Sequence, residues 1–153
     1  MLGQEKPARV DAAGDALPTG AVARLGTVRL RHPDWVRSLA ASPDGKLLAS
    51  GGEWRIRIWE LPSGRPVKSY PHYKDPGNPG FHNAPTLAFT AKGELLALGN
   101  FDNGSVLYDP ATGKKLKEFK EYSADVFSAD GTAAILVSKD RYTVWEMATG
   151  KAV

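Results

Sequence analysis

Three histidines, His32, His72 and His82, and no cysteine leave this 153-residue sequence few groups for acid–base or nucleophilic work. The lack of cysteine also removes disulfides and thiolate metal sites. His72, Asp75 and His82 can be drawn as a metal set, but their spacing fits no common zinc pattern. No G-x-S-x-G, P-loop, G-x-G-x-x-G or H-E-x-x-H run is present. The sequence therefore predicts no catalytic residue, no cofactor and no metal, and a protein that is not an enzyme. The side chains that can do other chemistry are large aromatics among turn residues. Trp35, Trp54, Tyr73, Phe81 and Phe101 are candidate contact anchors for a protein partner, because large rings supply most of the energy at interface hot spots. Tyr73 and Phe81 fall in the insertion YPHYKDPGNPGFHNAP at 70–85, whose prolines lower the entropy cost of ordering a loop.

Charge points away from nucleic acid. Lys+Arg total 20 against 17 Asp+Glu, a net charge of +3. Lys114, Lys115, Lys117 and Lys120 cluster, but Glu118 and Glu121 sit among them and no aromatic stacking platform accompanies them. They are expected on a sheet edge, where lysine discourages edge-to-edge pairing. No apolar run approaches the roughly 20 residues of a membrane span. The start, MLGQEKPARVDAAGD, has no apolar stretch of signal-peptide type. No membrane partner is expected; the sequence leaves the compartment open and favours the cytoplasm.

The elements that must position these residues are strands. The 16 glycines and 11 prolines argue against a helix bundle, and 42% hydrophobic with 24% charged residues argues against full disorder. Residues 1–20 are polar, rich in small residues and aperiodic, and read as a flexible tail. From residue 21 onward, apolar runs of five to eight residues alternate with Gly/Pro/Asp turns, the pattern of antiparallel strands.

Three landmarks then recur. ASPDGKLLASGG at 41–52 returns as TAKGELLALGN at 90–100 and, more weakly, as SADGTAAILVS at 128–138. Each copy is followed by an aromatic and an acid: Trp59-Glu60, Tyr108-Asp109 and Trp145-Glu146. A short turn with glycine follows each, LPSG, PATG and MATG. A repeat of roughly 40 to 45 residues built from four strands is a propeller blade.

At these residues the sequence resembles the WD-repeat β-propeller family. SPDGKLLASGG with IRIWELPSG is its repeat motif, and the ARLGT run ahead of His32 resembles the start of many bacterial multi-repeat members. The resemblance implies an all-β fold of three four-stranded antiparallel blades, an open or incomplete ring. The blade units are about 31–70, 71–119 and 120–153, with 23–30 as an orphan outer strand, all within a partial propeller at 21–153. It also implies a structural hydrogen-bond set, which maps here to His32, Ser50, Glu53 and Trp59. Copy two places Leu98 where Ser50 sits, and copy three keeps Ser138. Family members commonly bind partners on the face that carries 32–35, Glu53, Trp54, 70–85, 101–103, 121–123 and 139–141. The implied function is a non-catalytic interaction scaffold. The alternatives are a split or truncated propeller that closes only with other chains, for instance as a homo-oligomer, and a propeller enzyme.

Overall fold

A computed structural model describes residues 9–71, 84–98, 104–119, 123–128, 132–138, 141–147, 149 and 151–153. It divides into two compact units, Met1–Arg31 and His32–Val153.

Among the described residues, the second unit holds every strand. The first sheet is β1 (Val36–Ala41), β2 (Leu47–Gly52), β3 (Arg55–Glu60) and β4 (Pro66–Pro71). The second is β5 (Thr86–Phe89), β6 (Leu95–Leu98), β7 (Ser105–Tyr108) and β8 (Lys115–Phe119). The third is β9 (Ser123–Phe127), β10 (Ala133–Ser138), β11 (Arg141–Glu146) and β12 (Lys151–Ala152). Each is a four-stranded antiparallel sheet in chain order, one blade per repeat.

Turn chemistry explains the repeat landmarks. Gly45 and Gly93 take φ of 70° and 80°, a left-handed conformation that costs glycine little. Their N–H groups bond back to the carbonyls of Ser42 and Thr90. The acid after each aromatic fastens the next turn through a hydroxyl. Ser63 Oγ donates to Glu60, and Thr149 Oγ1 donates to Glu146 at 2.7 Å. Asp109 accepts the Ala111 and Thr112 N–H groups at 2.9 and 3.3 Å. Hydrogen bonds from the Thr112 hydroxyl and the Ala111 N–H hold its carboxyl below the usual carboxylate range.

The blades stack face on face. The first core joins blades one and two through Ala49, Ile56, Ile58 and Tyr70 on one side and Leu87, Phe89, Leu95, Ala97, Val106 and Tyr108 on the other. The second joins blades two and three through Leu96, Leu98, Leu107 and Phe119 against Ala134 and Met147, with Phe127 and Trp145 at its margin. Blade two is covered on both faces, so β6 and β7 are buried at every position. Continuous burial, not alternation, is what a doubly covered strand requires.

Register departs from the sequence alignment in one respect. Ser42 N–H bonds to Leu47 O, five residues on, but Thr90 N–H bonds to Glu94 O, four residues on. The turn of copy two is one residue tighter, and a shift of one residue in a strand swaps its faces. Leu95 therefore takes the place of Leu48, and Ala97, not Leu98, takes the place of Ser50. Their partners agree: Leu48 pairs with Trp59 and Leu95 with Tyr108, while Ser50 pairs with Arg57 and Ala97 with Val106. In copy three Ser128 N–H reaches Ala133 O, five residues on, so Leu136, opposite Thr143, holds the Ser50 position, and Ser138 does not.

The stretch 23–30 is not a strand. Gly26 at φ 82° and Leu30 at φ 54° break the extended conformation. Its arginines instead clamp a small turn in the first unit. Asp11 accepts the Ala13 and Asp15 N–H groups at 2.9 Å each and Arg24 Nη1 at 2.6 Å. The Asp15 N–H foremost, then Arg24, hold the Asp11 carboxyl below its usual range. Arg29 Nε donates to Asp15 Oδ2 at 2.8 Å, and Val10 bridges Ala16. Residues 9–20, expected as flexible tail, thus belong to an ordered turn, and the unit boundary falls after Arg31 instead of Gly20.

One buried phenol has no hydrogen-bond partner among the described residues. Tyr70 stacks on Tyr108 across the first core, centroids 5.0 Å apart, and its hydroxyl is buried without a hydrogen bond. Tyr70→Phe is therefore expected to raise stability by about 1 kcal/mol, because it removes an unsatisfied buried group. Desolvation pushes the Tyr108 phenol up to about 12, and Tyr70 higher still. Folded phenols that resist ionisation give stability that is full below pH 10 and is lost as pH rises from 10 through 12. Tyr70→Phe should shift alkaline unfolding to higher pH, measured by circular dichroism against pH.

Candidate functional site

The end of blade one is built from 32–35, which lead into β1, and from the tight turn at Glu53 and Trp54 between β2 and β3. Asp34 ties the two together: its Oδ2 accepts the Trp54 N–H at 2.9 Å. The His32 imidazole is buried beside it, with the Asp34 N–H donating to Nδ1 at 3.4 Å. His32 Nε2 is buried with no partner among the described residues. Gly52 is required at this approach. A Cβ there would overlap the His32 ring and come within 2.8 Å of Asp34 Oδ2.

On this scaffold Trp35 stands 77% exposed and Trp54 37% exposed. Both sit at one end of the same blade, as the sequence places them. Tyr73, Phe81 and Phe101 lie outside the described residues, as do His72, Asp75 and His82. Among the described residues no three His, Asp or Glu side chains converge to hold a metal ion. Among them, too, no helix is long and apolar enough to cross a membrane.

Within the expected hydrogen-bond set one pair forms, Ser50 with Trp59. Trp59 Nε1 donates to Ser50 Oγ at 2.8 Å, with both side chains buried. Arg57 lies over the same indole, its guanidinium carbon 5.7 Å from the ring centroid. His32 pairs with Asp34. No hydrogen bond links His32 to Ser50, or Glu53 to any member, among the described residues. The acid that fastens this turn is Asp34, through the Trp54 N–H.

The lysines of β8 are committed to neighbours. Lys115 Nζ meets Glu118 Oε1 at 2.6 Å. Lys117 Nζ lies 4.9 Å from the Phe119 ring and 5.2 Å from the Trp145 ring, so it bridges blades two and three by cation–π contact. Phe119 meets Trp145 edge to face at 5.3 Å. Between the turns of blades one and two lies a cleft lined by Ser42, Pro43, Asp44, Leu47, Ala91, Lys92 and Gly93. Its polar groups serve the turn. Ser42 Oγ donates to Asp44 Oδ1 at 2.6 Å, and that bond leads in holding the Asp44 carboxyl below its usual range.

Residues 25–60 match the family model described as WD domain, G-beta repeat. No curated protein matches the sequence. Among solved structures, the fold is similar to a crystal structure of RRP9 WD40 repeats and to a structure of U3-55K. Each is 21% identical with a TM-score of 0.61 over 80% of this chain. The chain spans 38% of the first and 39% of the second. At that identity the likeness is one of fold.

Proposed function

The chain carries a WD repeat and folds as three blades of a WD40-type β-propeller, and on that premise we propose that it is a non-catalytic scaffold that holds a protein partner at the end of blade one. The observation that carries this reading is the pair Trp35 and Trp54, exposed on loops pinned by Asp34. An exposed indole on a fixed backbone loses little entropy on binding and offers a large apolar contact. Tyr73, Phe81 and Phe101 are proposed as further contact residues on the sequence reading alone. No catalytic, cofactor or metal role is assigned, and neither nucleic acid nor membrane is a proposed partner.

Partner capture by the immobilised chain tests this. A protein retained by the wild type should be lost on Trp35→Ala/Trp54→Ala, with the unfolding transition unchanged. Equal retention by the double variant would remove the reading.

A second reading has its own support. The outward faces of blades one and three carry exposed apolar residues, including Leu39, Ile135 and Val144. This favours a propeller segment that assembles with further blades.

A further inference from the structure

Between Asp15 and Asp34 the chain carries three arginines, Arg24, Arg29 and Arg31, and no acid. Thr27 sits among them, three residues after Arg24 and two before Arg29. It belongs to the first unit and lies exposed in a stretch that is neither helix nor strand. Leu25, Val28 and Leu30 are exposed around it. Such a segment can enter an enzyme's cleft without breaking a sheet.

Thr27 already gathers donors. Its Oγ1 accepts the Arg29 N–H at 3.0 Å, and its carbonyl accepts Arg31 Nε at 3.2 Å. The flanking guanidiniums reach back to the turn at 9–16. Arg24 Nη1 meets Asp11 Oδ2 at 2.6 Å, and Arg29 Nε meets Asp15 Oδ2 at 2.8 Å. In sequence, Thr27 thus lies between the two halves of a double Arg–Asp clasp. The hydroxyls of the blade turns have the opposite surroundings, since Ser63 and Thr149 donate to Glu60 and Glu146. A phosphoryl group there would face a carboxylate, whereas at Thr27 it is flanked by arginines.

We propose that Thr27 is a phosphorylation site for an arginine-directed serine/threonine kinase, and that its phosphorylation opens the clasp. The arginines match a kinase groove lined by acids. Thr27 Oγ1 bonds to the γ-phosphorus of ATP as the bond to the bridging oxygen breaks. ADP leaves, and the hydroxyl proton passes to the kinase's base. The product carries about −1.5 to −2 charges and strong acceptor oxygens at neutral pH. Those oxygens compete with Asp11 and Asp15 for Arg24 and Arg29, and they repel both carboxylates. Both effects loosen the turn at 9–16. The inference concerns the first unit alone and is independent of the tryptophan surface.

Incubating the 153-residue chain with ATP and an arginine-directed kinase, read by mass spectrometry, tests it. A single phosphoryl group should enter, and fragmentation should place it on Thr27. Arg24→Gln should slow its entry roughly tenfold, because the kinase groove loses a charge partner. Asp11→Asn keeps Arg24 but releases it from its carboxylate, and should speed entry. Both variants break the same ion pair, so their opposite effects separate recognition by charge from mere access. In the phosphorylated chain, amide exchange at Leu17 should quicken about tenfold as the turn opens locally. The Leu17 N–H bonds to the Arg9 carbonyl and reports the turn directly. Exchange in β6 and β7 should not change. No incorporation, incorporation elsewhere in place of Thr27, equal rates in the two variants, or unchanged exchange at Leu17 would each overturn the proposal. Fragmentation and exchange of the wild type decide alone if a variant fails to fold.

Discussion

Leu95→Ala should lower the unfolding free energy by about 2–5 kcal/mol, the range for truncating a buried leucine in a packed core. Leu95 has no exposed surface and sits in the cluster that joins blades one and two. Its loss removes contacts to both the blade below and the strands beside it. A domain of this size has on the order of 5–15 kcal/mol in total, so the loss is a large share. Leu116, on the outer strand of the same blade, is 46% exposed and makes the control. Leu116→Ala should cost less than about 1 kcal/mol. Urea unfolding checks both: the midpoint should fall sharply for the first, with the slope unchanged, and hardly at all for the second. Similar midpoints would mean that the first core does not hold the blades together.

Trp59→Phe should cost about 2–3 kcal/mol, more than the difference in ring size suggests. The indole N–H is the donor to Ser50 Oγ, and both groups are buried. Phenylalanine leaves the Ser50 hydroxyl without that donor in a dry site. Ser50→Ala should cost less, because alanine leaves no buried oxygen behind, though the indole N–H then lacks its acceptor. The double variant should be less destabilised than the sum of the two single variants. The coupling should be about 1 kcal/mol in a double-mutant cycle read by thermal or urea unfolding. Strict additivity would show that the bond contributes nothing to the blade.

Much of this fold is legible because its landmarks are turn chemistry. A turn glycine, an acid followed by Ser or Thr three residues on, and an aromatic just before that acid recur in all three copies, and the glycine is left-handed at Gly45 and Gly93. Each reports a local requirement that the chain must meet in any copy. Register is not legible in the same way. LLA at 47–49 and LLA at 95–97 are identical, and adjacent leucines are equally apolar toward both faces. One residue fewer in the second turn swaps those faces, and only the pairing of Leu95 with Tyr108 reveals it. The stretch 23–30 misleads for a related reason. Leu25, Val28 and Leu30 look like a strand face, but Arg24 and Arg29 find carboxylates at Asp11 and Asp15, and the backbone turns at Gly26 and Leu30.

The candidate site divides along the same line. The placement of Trp35 and Trp54 at one end follows from antiparallel strand order, so it is readable from the turns. The choice of Asp34 over Glu53 as the fastening acid is not. Both lie next to the tryptophans, and only the distance from Asp34 Oδ2 to the Trp54 N–H separates them.

The claim that a partner seats on the end of blade one is tested most directly by oxidative footprinting of the tryptophans with and without the captured protein. Trp59, 2% exposed, is the internal reference and should stay unlabelled throughout. Trp35 should label strongly in the isolated chain and lose most of that labelling in the complex, with Trp54 following it. Unchanged labelling of Trp35 in a complex that forms stably would contradict the account.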